Sequence, residues 1–180
     1  MCAVNDALSP PARPTGTVSI REARPDDLDA ILALYNDAIS TGTALWLDAT
    51  VDRANRASWL EAQRAMNFPV FVAEVDATFA GYASYGLWRG YSGYRHTVDD
   101  SIYLVPAFHG RGIGSLLMKA LIDHARAAGF HVMIADIESG NVASLRLHAR
   151  FGFEVTGVIP EVGTKFGRWL DLTTMRLALE

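Results

Sequence analysis

The sequence predicts an α/β (α+β) domain in which a mixed, mostly antiparallel sheet of about seven strands carries helices on both faces. Three observations lead there. The hydrophobic period switches between two and about 3.6 residues along the chain, giving the order strand, two helices, three strands, helix, strand, helix, two strands. Strands in the first half follow one another as in a meander, whereas the second half interposes helices between them, as crossovers do. The 180 residues are 50% apolar and 20% charged, which gives a single domain a useful core without calling for a second.

Each element has its own signal. Residues 1–17, with Pro10, Pro11 and Pro14, read as a disordered tail, leaving 18–180 as the domain. Val18 to Ala23 alternates as a half-buried strand. Pro25-Asp-Asp27 supplies the first turn of a helix whose Leu28, Ile31, Leu32, Tyr35 and Ile39 recur at helical spacing. A loop through Gly42 and Trp46 leads to a second helix from Thr50 to about Met66, with Val51, Ala54, Trp59 and Leu60 available for burial and Pro69 closing it. Phe71–Val75 and Phe79–Leu87 read as an antiparallel pair joined tightly at Asp76-Ala-Thr78. A Gly- and Tyr-rich loop precedes the strand Thr97–Val105. From Gly112 a helix carries Ile113, Leu116, Leu117, Ala120, Leu121 and Ala125 on one face and ends near Gly129. Val132–Ile137 is a short apolar strand. Asn141 opens a helix that Phe151-Gly-Phe153 terminates, and strands near Glu154–Ile159 and Trp169–Leu179 finish the chain.

Composition narrows the function classes. A formal net charge of −4 offers no general attraction to a phosphate backbone, so nucleic acid is not expected as a partner. No apolar stretch approaches membrane-spanning length, and the first ten residues lack a basic segment followed by an apolar run, so neither a membrane nor an export route is expected. The one cysteine, Cys2, cannot form an internal disulfide, which suits a reducing compartment with the cytoplasm as default. No metal is called for.

The most informative segment runs from Ile102 to Ser115: a strand, a turn with glycines at 110, 112 and 114, and an amphipathic helix. Those glycines leave room for backbone N–H groups to approach a ligand, and the helix start adds its positive dipole end. The result is an anion site suited to a pyrophosphate, with Arg111 available for a direct charge contact. A P-loop would need a Gly-Lys-Ser/Thr that is absent. A dinucleotide fingerprint fits Gly110 and Gly112, with Asp136 about 24 residues beyond Gly112, but places its third glycine at Ser115. A plain tight turn capping a helix remains the alternative for such a turn in isolation.

The turn is not isolated. His109-x-x-Gly112-x-Gly114 resembles the acetyl-CoA signature of the GNAT superfamily of N-acetyltransferases, with His109 in place of the usual Gln or Arg. Asn141-x-x-Ser144-x-x-x-His148-x-x-x-Gly152-Phe153 resembles that superfamily's second motif, although Asn141 alone reads as a helix cap and Gly152 as a terminator. From about Val18 onward the chain is similar to the branch containing the phosphinothricin and the methionine sulfoximine or sulfone N-acetyltransferases. The shared phrases are Arg56-Ala-Ser-Trp59, Phe68-Pro-Val-Phe-Val-Ala-Glu74, Gly81-Tyr82, Tyr94-Arg-His-Thr-Val98, Ser101-Ile-Tyr103, Asn141-Val-Ala-Ser144, His148 and Gly163-Thr-Lys165.

The resemblance implies a GNAT fold, acetyl-CoA as co-substrate, and direct transfer to an amine in a ternary complex. Cofactor contacts would come from Tyr103, Leu104 and Val105 on the strand, from Arg111, Gly112, Ile113, Gly114, Ser115 and Leu116 at the turn, and from Asn141 and Ser144. Asp99, in Thr97-Val-Asp-Asp100, occupies the place of the branch's glutamate base; its shorter side chain favours proton removal through a water, and a solvated acidic pair is the competing reading. His148 stands where much of the superfamily has a tyrosine general acid, with positioning or packing as the alternative. For an amino-acid acceptor, Arg89 and Arg95 are natural carboxylate partners unless they are surface charges. Trp46, Trp88, Tyr91 and Tyr94 would wall the side-chain pocket, with Gly90 between Arg89 and Tyr91. The branch further implies a homodimer in which Lys165 contributes across a two-fold. Acetyltransfer to protein N-termini or aminoglycosides, and a non-catalytic acyl-CoA-binding module, are the rival functions.

Overall fold

The computed structural model describes residues 16–180. Residues 1–15 of the expected tail lie outside the described part. Its last residue, Thr17, is already tied in: its N–H donates to Asp76 Oδ1 at 2.9 Å and its carbonyl accepts from the Asp76 amide at 3.0 Å.

The elements follow the expected order: β1 (Val18–Glu22), α1 (Leu28–Thr41), α2 (Arg53–Ala65), β2 (Val70–Val75), β3 (Thr78–Leu87), β4 (Thr97–Leu104), α3 (Ile113–Ala127), β5 (Val132–Glu138), α4 (Val142–Arg150), β6 (Glu154–Lys165) and β7 (Arg168–Ala178). One seven-stranded sheet runs β1-β2-β3-β4-β5-β7-β6. Only the central β4–β5 pair is parallel. It is the pair joined through α3, since a parallel connection needs a crossover.

Strand alternation divides the core between two faces. Val72, Tyr82 and Tyr103 point to the side covered by α1 and α2, where Leu28, Ile31, Leu34 and Leu60 meet them. Ala73, Ala83, Tyr85, Val98, Met133 and Ala135 point to the other side, beneath Ile113, Leu117, Met118 and Leu121 of α3. The buried stripe of α3 adds Ile122 and Ala125 and leaves Leu116 41% exposed. Leu116 was expected on the core face; the stripe centres on 117, 118, 121 and 122, and its 100° steps carry residue 116 to the flank.

Local chemistry corrects several boundaries. Helix α2 starts at Arg53 and not at Thr50, because Asp52 is the residue whose side chain accepts from the Asn55 amide, at 2.8 Å. Val51 is held out of the helix by Asn36, which bonds both its N–H and its carbonyl at 2.9 Å. Ala54 is exposed, and Arg56 and Gln63 are buried in its stead. Strand β6, expected to stop at Ile159, continues to Lys165: the ladder absorbs Pro160 through an irregularity between Ile159 and Gly163, where Glu161 takes φ +50° and its N–H donates to Asp171 Oδ1 at 2.8 Å. A two-residue turn, Phe166 and Gly167 with φ +51° and +69°, then closes the hairpin to β7. Gly129, at φ +78°, caps α3 as expected. Among the described residues no helix is long and apolar enough to cross a membrane.

Candidate active site

The sheet opens at its centre. β4 and β5 pair only at Thr97–Val132, Val98–Met133 and Asp99–Ile134, yet β4 stays paired to β3 as far as Leu104 and β5 to β7 as far as Glu138. From Asp100 and Ala135 onward the two facing edges diverge, and the backbone groups along them lose their parallel partners. A wedge in mid-sheet is thus a ready hydrogen-bonding slot for an extended ligand. Tyr103 and Leu104 lie on its β4 edge, and Val105 just beyond, its own amide already bonded to the Ala80 carbonyl at 2.9 Å.

At the mouth of the wedge, β4 passes through one turn of 3-10 helix, Pro106–Phe108, into the glycine turn and α3. Gly110 and Gly112 take φ +73° and +80°, a region that L side chains avoid, and a Cβ on either would meet nothing within 4 Å. The turn is therefore strained for any other residue and open towards solvent. The Ile113 and Gly114 amides begin α3 and have no preceding helical carbonyl to bond, whereas Ser115 and Leu116 bond back to Gly112 O. Unencumbered donors at a helix start fit a diphosphate. His109, at the position where the motif usually has Gln or Arg, is turned back so that Nε2 lies 3.0 Å from the Leu104 carbonyl, and Arg111 rests over the Phe108 ring at 5.3 Å. Across the wedge, Asn141 Oδ1 caps α4 by accepting from the Ser144 amide at 3.1 Å.

Asp99 and Asp100 point to opposite faces of the sheet. Asp99 shares its face with Tyr103, is partly buried, and lies opposite Gly86, whose missing side chain leaves that one side of the carboxylate open: a Cβ there would sit 3.9 Å from Asp99 Oδ1. Burial pushes the Asp99 carboxyl up to about 6, helped by the negative charges of Asp100 and Asp136. Asp136, the acid considered above for a ribose, is far from such a role; it accepts from Thr174 Oγ1 at 2.6 Å and from Trp88 Nε1 at 3.2 Å. Asp100 is buried against His148 on the α3 and α4 side, with 3.1 Å between Oδ2 and Nε2.

The two loops that carry the expected acceptor residues are held unequally. In the α1–α2 loop, Trp46 Nε1 donates to the Thr43 carbonyl at 2.9 Å, Thr43 Oγ1 donates to Glu138 Oε2 at 2.9 Å, and the buried Lys165 ammonium donates to the Leu45 carbonyl. Lys165, expected to reach across a two-fold, is thus turned onto its own chain. In the β3–β4 loop, Arg89 is exposed and stacks over Trp88 at 4.6 Å, Tyr94 meets Trp88 edge-on, and Arg95 Nη1 donates to Ser92 O at 3.1 Å. Gly90 is open and Tyr91 is 78% exposed. Sequence reasoning missed Asp100, Glu138 and the buried Arg56, whose guanidinium lies 4.1 Å from the Tyr35 ring and 4.9 Å from that of Trp59, with only Asn55 Oδ1 accepting from it among the described residues. The period-two rule applied to Asp99-Asp100 was the one usable signal: it sends the second carboxylate to the other face. Among the described residues no group of three or more His, Cys, Asp or Glu is placed to hold a metal ion.

The chain is similar to known proteins along most of its length. The model of the acetyltransferase (GNAT) family matches residues 31–153. The L-methionine sulfoximine/L-methionine sulfone acetyltransferase of Pseudomonas paraeruginosa is 51% identical over 165 residues, covering 91% of this chain and 96% of that protein. The phosphinothricin N-acetyltransferase of Alcaligenes faecalis is 40% identical over 166 residues, covering 89% and 82%. The solved structure of yncA from Salmonella typhimurium with its cofactor acetyl-CoA matches with a TM-score of 0.89 at 50% identity, covering 91% of this chain and 94% of that one.

Proposed function

The chain belongs to the acetyltransferase (GNAT) family, and from that premise we propose that it transfers the acetyl group of acetyl-CoA to the primary amine of a small amino-acid-like acceptor of the phosphinothricin or methionine sulfoximine and sulfone kind. The observation that carries the reading is the pairing of an open wedge between β4 and β5 with an uncovered glycine turn at its mouth. Relatives named for these acceptors support the substrate class.

Acetyl-CoA would supply the acetyl group as a thioester that an amine attacks directly. The amides of Gly112, Ile113 and Gly114, with Arg111, Ser115 and Leu116 around them, would hold the diphosphate; the β4 edge at Tyr103, Leu104 and Val105, together with Asn141 and Ser144, would hold the extended arm. Asp99, by itself or through a water, would take the proton that the acceptor ammonium must lose before it can act as a nucleophile. Arg89 or Arg95 would meet the acceptor carboxylate, with Gly90 and Tyr91 between them and Trp46 walling the side chain. His148, the sequence-based candidate for the departing sulfur, has its Nε2 on Asp100 at 3.1 Å, which favours the alternative of a positioning role.

The reading includes a cytoplasmic homodimer. Its support is the outermost strand, β6, which exposes Val155, Val158, Ile159 and Val162, beside the exposed Phe166 and Trp169 of the hairpin. An unpaired apolar edge of this length is what a second copy would cover.

The test is thiol release from acetyl-CoA with methionine sulfone, methionine sulfoximine, phosphinothricin, free amino acids, polyamines and a peptide. Release with the first three is expected. Binding of acetyl-CoA without release for any amine would leave a binding module, and release with the peptide or the polyamines alone would overturn the acceptor class.

A further inference from the structure

The last paired residues of the central seam are Asp99 and Ile134, and Asp100 is the first β4 residue past them. His148 comes to that point from α4, on the other wall of the wedge. Its ring is wholly enclosed: the side chains of His148 and Asp100 are 5% and 1% exposed. Nδ1 lies 2.8 Å from the Ser144 carbonyl, and Nε2 lies 3.1 and 3.3 Å from the two Asp100 oxygens. The Ser144 carbonyl, the nearer partner of Nδ1, can only accept, so Nδ1 carries hydrogen, with the Ser144 hydroxyl at 3.4 Å beside it; with Nε2 donating to the Asp100 carboxylate as well, the ring is an imidazolium paired with a carboxylate.

We propose that Asp100 is a positioning residue: it holds His148 as a cation, and the resulting ion pair ties α4, with the cofactor residues Asn141 and Ser144, to β4 where the wedge begins to open. His148 then serves to seat acetyl-CoA and does not deliver the proton to the leaving sulfur, because its Nε2–H is committed to Asp100. The inference rests on coenzyme A as the ligand of the wedge.

The surroundings set its pH dependence. Among the described residues the ionisable group facing the ring is Asp100, from β4; α4 contributes the Ser144 carbonyl and hydroxyl, and Phe153, just ahead of β6, packs its ring edge-on at 4.9 Å. Burial lowers the His148 affinity for its proton, but the hydrogen bond and charge of Asp100, with the Ser144 carbonyl, outweigh it and leave the group above the ordinary histidine range. A histidine so raised holds its pair fully below the ordinary histidine value and loses it as pH climbs through the higher folded value.

Nitrogen-15 NMR of labelled histidine, with acetyl-CoA dissociation constants measured by calorimetry from pH 6 to 9, tests this in the wild type, Asp100→Asn and His148→Gln. In the wild type both His148 nitrogens should be protonated at pH 6, and acetyl-CoA affinity should fall in step with His148 deprotonation as the pH is raised. Asp100→Asn should leave the ring neutral at pH 6 and weaken acetyl-CoA on the order of tenfold, with the pH dependence of binding gone. A neutral ring in the unaltered protein at pH 6 overturns the proposal without any variant having to fold, and so does Asp100→Asn material of wild-type affinity with a depressed kcat. A wild type that fails to bind acetyl-CoA at all would instead remove the acetyltransfer reading.

Discussion

Trp46 lies on Gly163 so closely that a Cβ added to the glycine would come 2.1 Å from the indole ring. The α1–α2 loop and the β6–β7 hairpin, 117 residues apart at these two positions, are thereby fitted to each other through the absence of one side chain. Gly163→Ala should push Trp46 off its seat while the distant core stays folded. The expected result is a roughly ten- to hundredfold loss in kcat/KM for the acceptor with an unchanged KM for acetyl-CoA; equal losses for both would refute the assignment of Trp46 to the acceptor pocket.

Asp99 should govern the acidic limb of the rate profile. A base raised to about 6 is protonated below that pH, so kcat/KM for the acceptor should rise through pH 6 in the wild type. In Asp99→Asn that limb should vanish, with the deficit greatest near neutrality and shrinking as the acceptor amine deprotonates unaided. Stability supplies an independent check. The folded carboxyl binds its proton more tightly than the ordinary value of 3.8, so the native state loses stability as pH rises from about 4 to above 6. Thermal melts at pH 8 should therefore find Asp99→Asn more stable than the wild type, by at most about 3 kcal/mol.

Two glycines in the same left-handed conformation separate strain from binding. Gly112 at φ +80° opens α3 and Gly129 at φ +78° closes it. Alanine at either should destabilise the fold by about 1–2 kcal/mol. Only Gly112→Ala should also weaken acetyl-CoA, because only there does the new methyl enter the open space at the turn proposed to hold the diphosphate; calorimetry on the pair decides the matter.

The arginines should sort by acceptor kinetics. Arg89→Gln or Arg95→Gln should raise the KM for an amino-acid acceptor on the order of tenfold and leave that for acetyl-CoA alone. Arg56→Gln should instead lower the melting temperature, since its cation–π contacts with Tyr35 and Trp59 contribute about 1–2 kcal/mol when desolvated. Acceptor KM unmoved by both loop variants would take the carboxylate site away from the β3–β4 loop.

For the homodimer, Val158→Lys places a charge on the exposed apolar strand β6. Sedimentation should find the wild type a dimer and the variant dissociating at concentrations where the wild type does not. Identical sedimentation of the two would move the interface elsewhere.

The element order, the crossover through α3 and the glycine turn were legible because each rests on local chemistry: period, caps, and glycines that alone tolerate a positive φ. Asp52 outbid Thr50 as the start of α2 for a non-local reason, the grip of Asn36 on Val51. The extension of β6 past Pro160 was illegible for a similar one, since proline and glycine read as a break and only the Asp171 contact from β7 repairs the ladder. At the site, the conformation of the glycine turn and the Asn141 cap were legible in the residue types themselves. The pairing of Asp100 with His148 could not, because 48 residues separate them and nothing in either segment announces which face of α4 meets β4.

Glu138 closes the account of how the two substrates stand to each other. Its Oε2 accepts from Thr43 in the α1–α2 loop, while its Oε1 accepts from the Gly140 amide at 2.7 Å, in the turn leading to Asn141. One carboxylate therefore spans the α1–α2 loop, proposed to face the acceptor, and the turn into α4, proposed to face acetyl-CoA. Occupancy on one side should accordingly be felt on the other as synergy in steady-state kinetics, with each co-substrate lowering the other's dissociation constant, and Glu138→Ala should render the two additions independent.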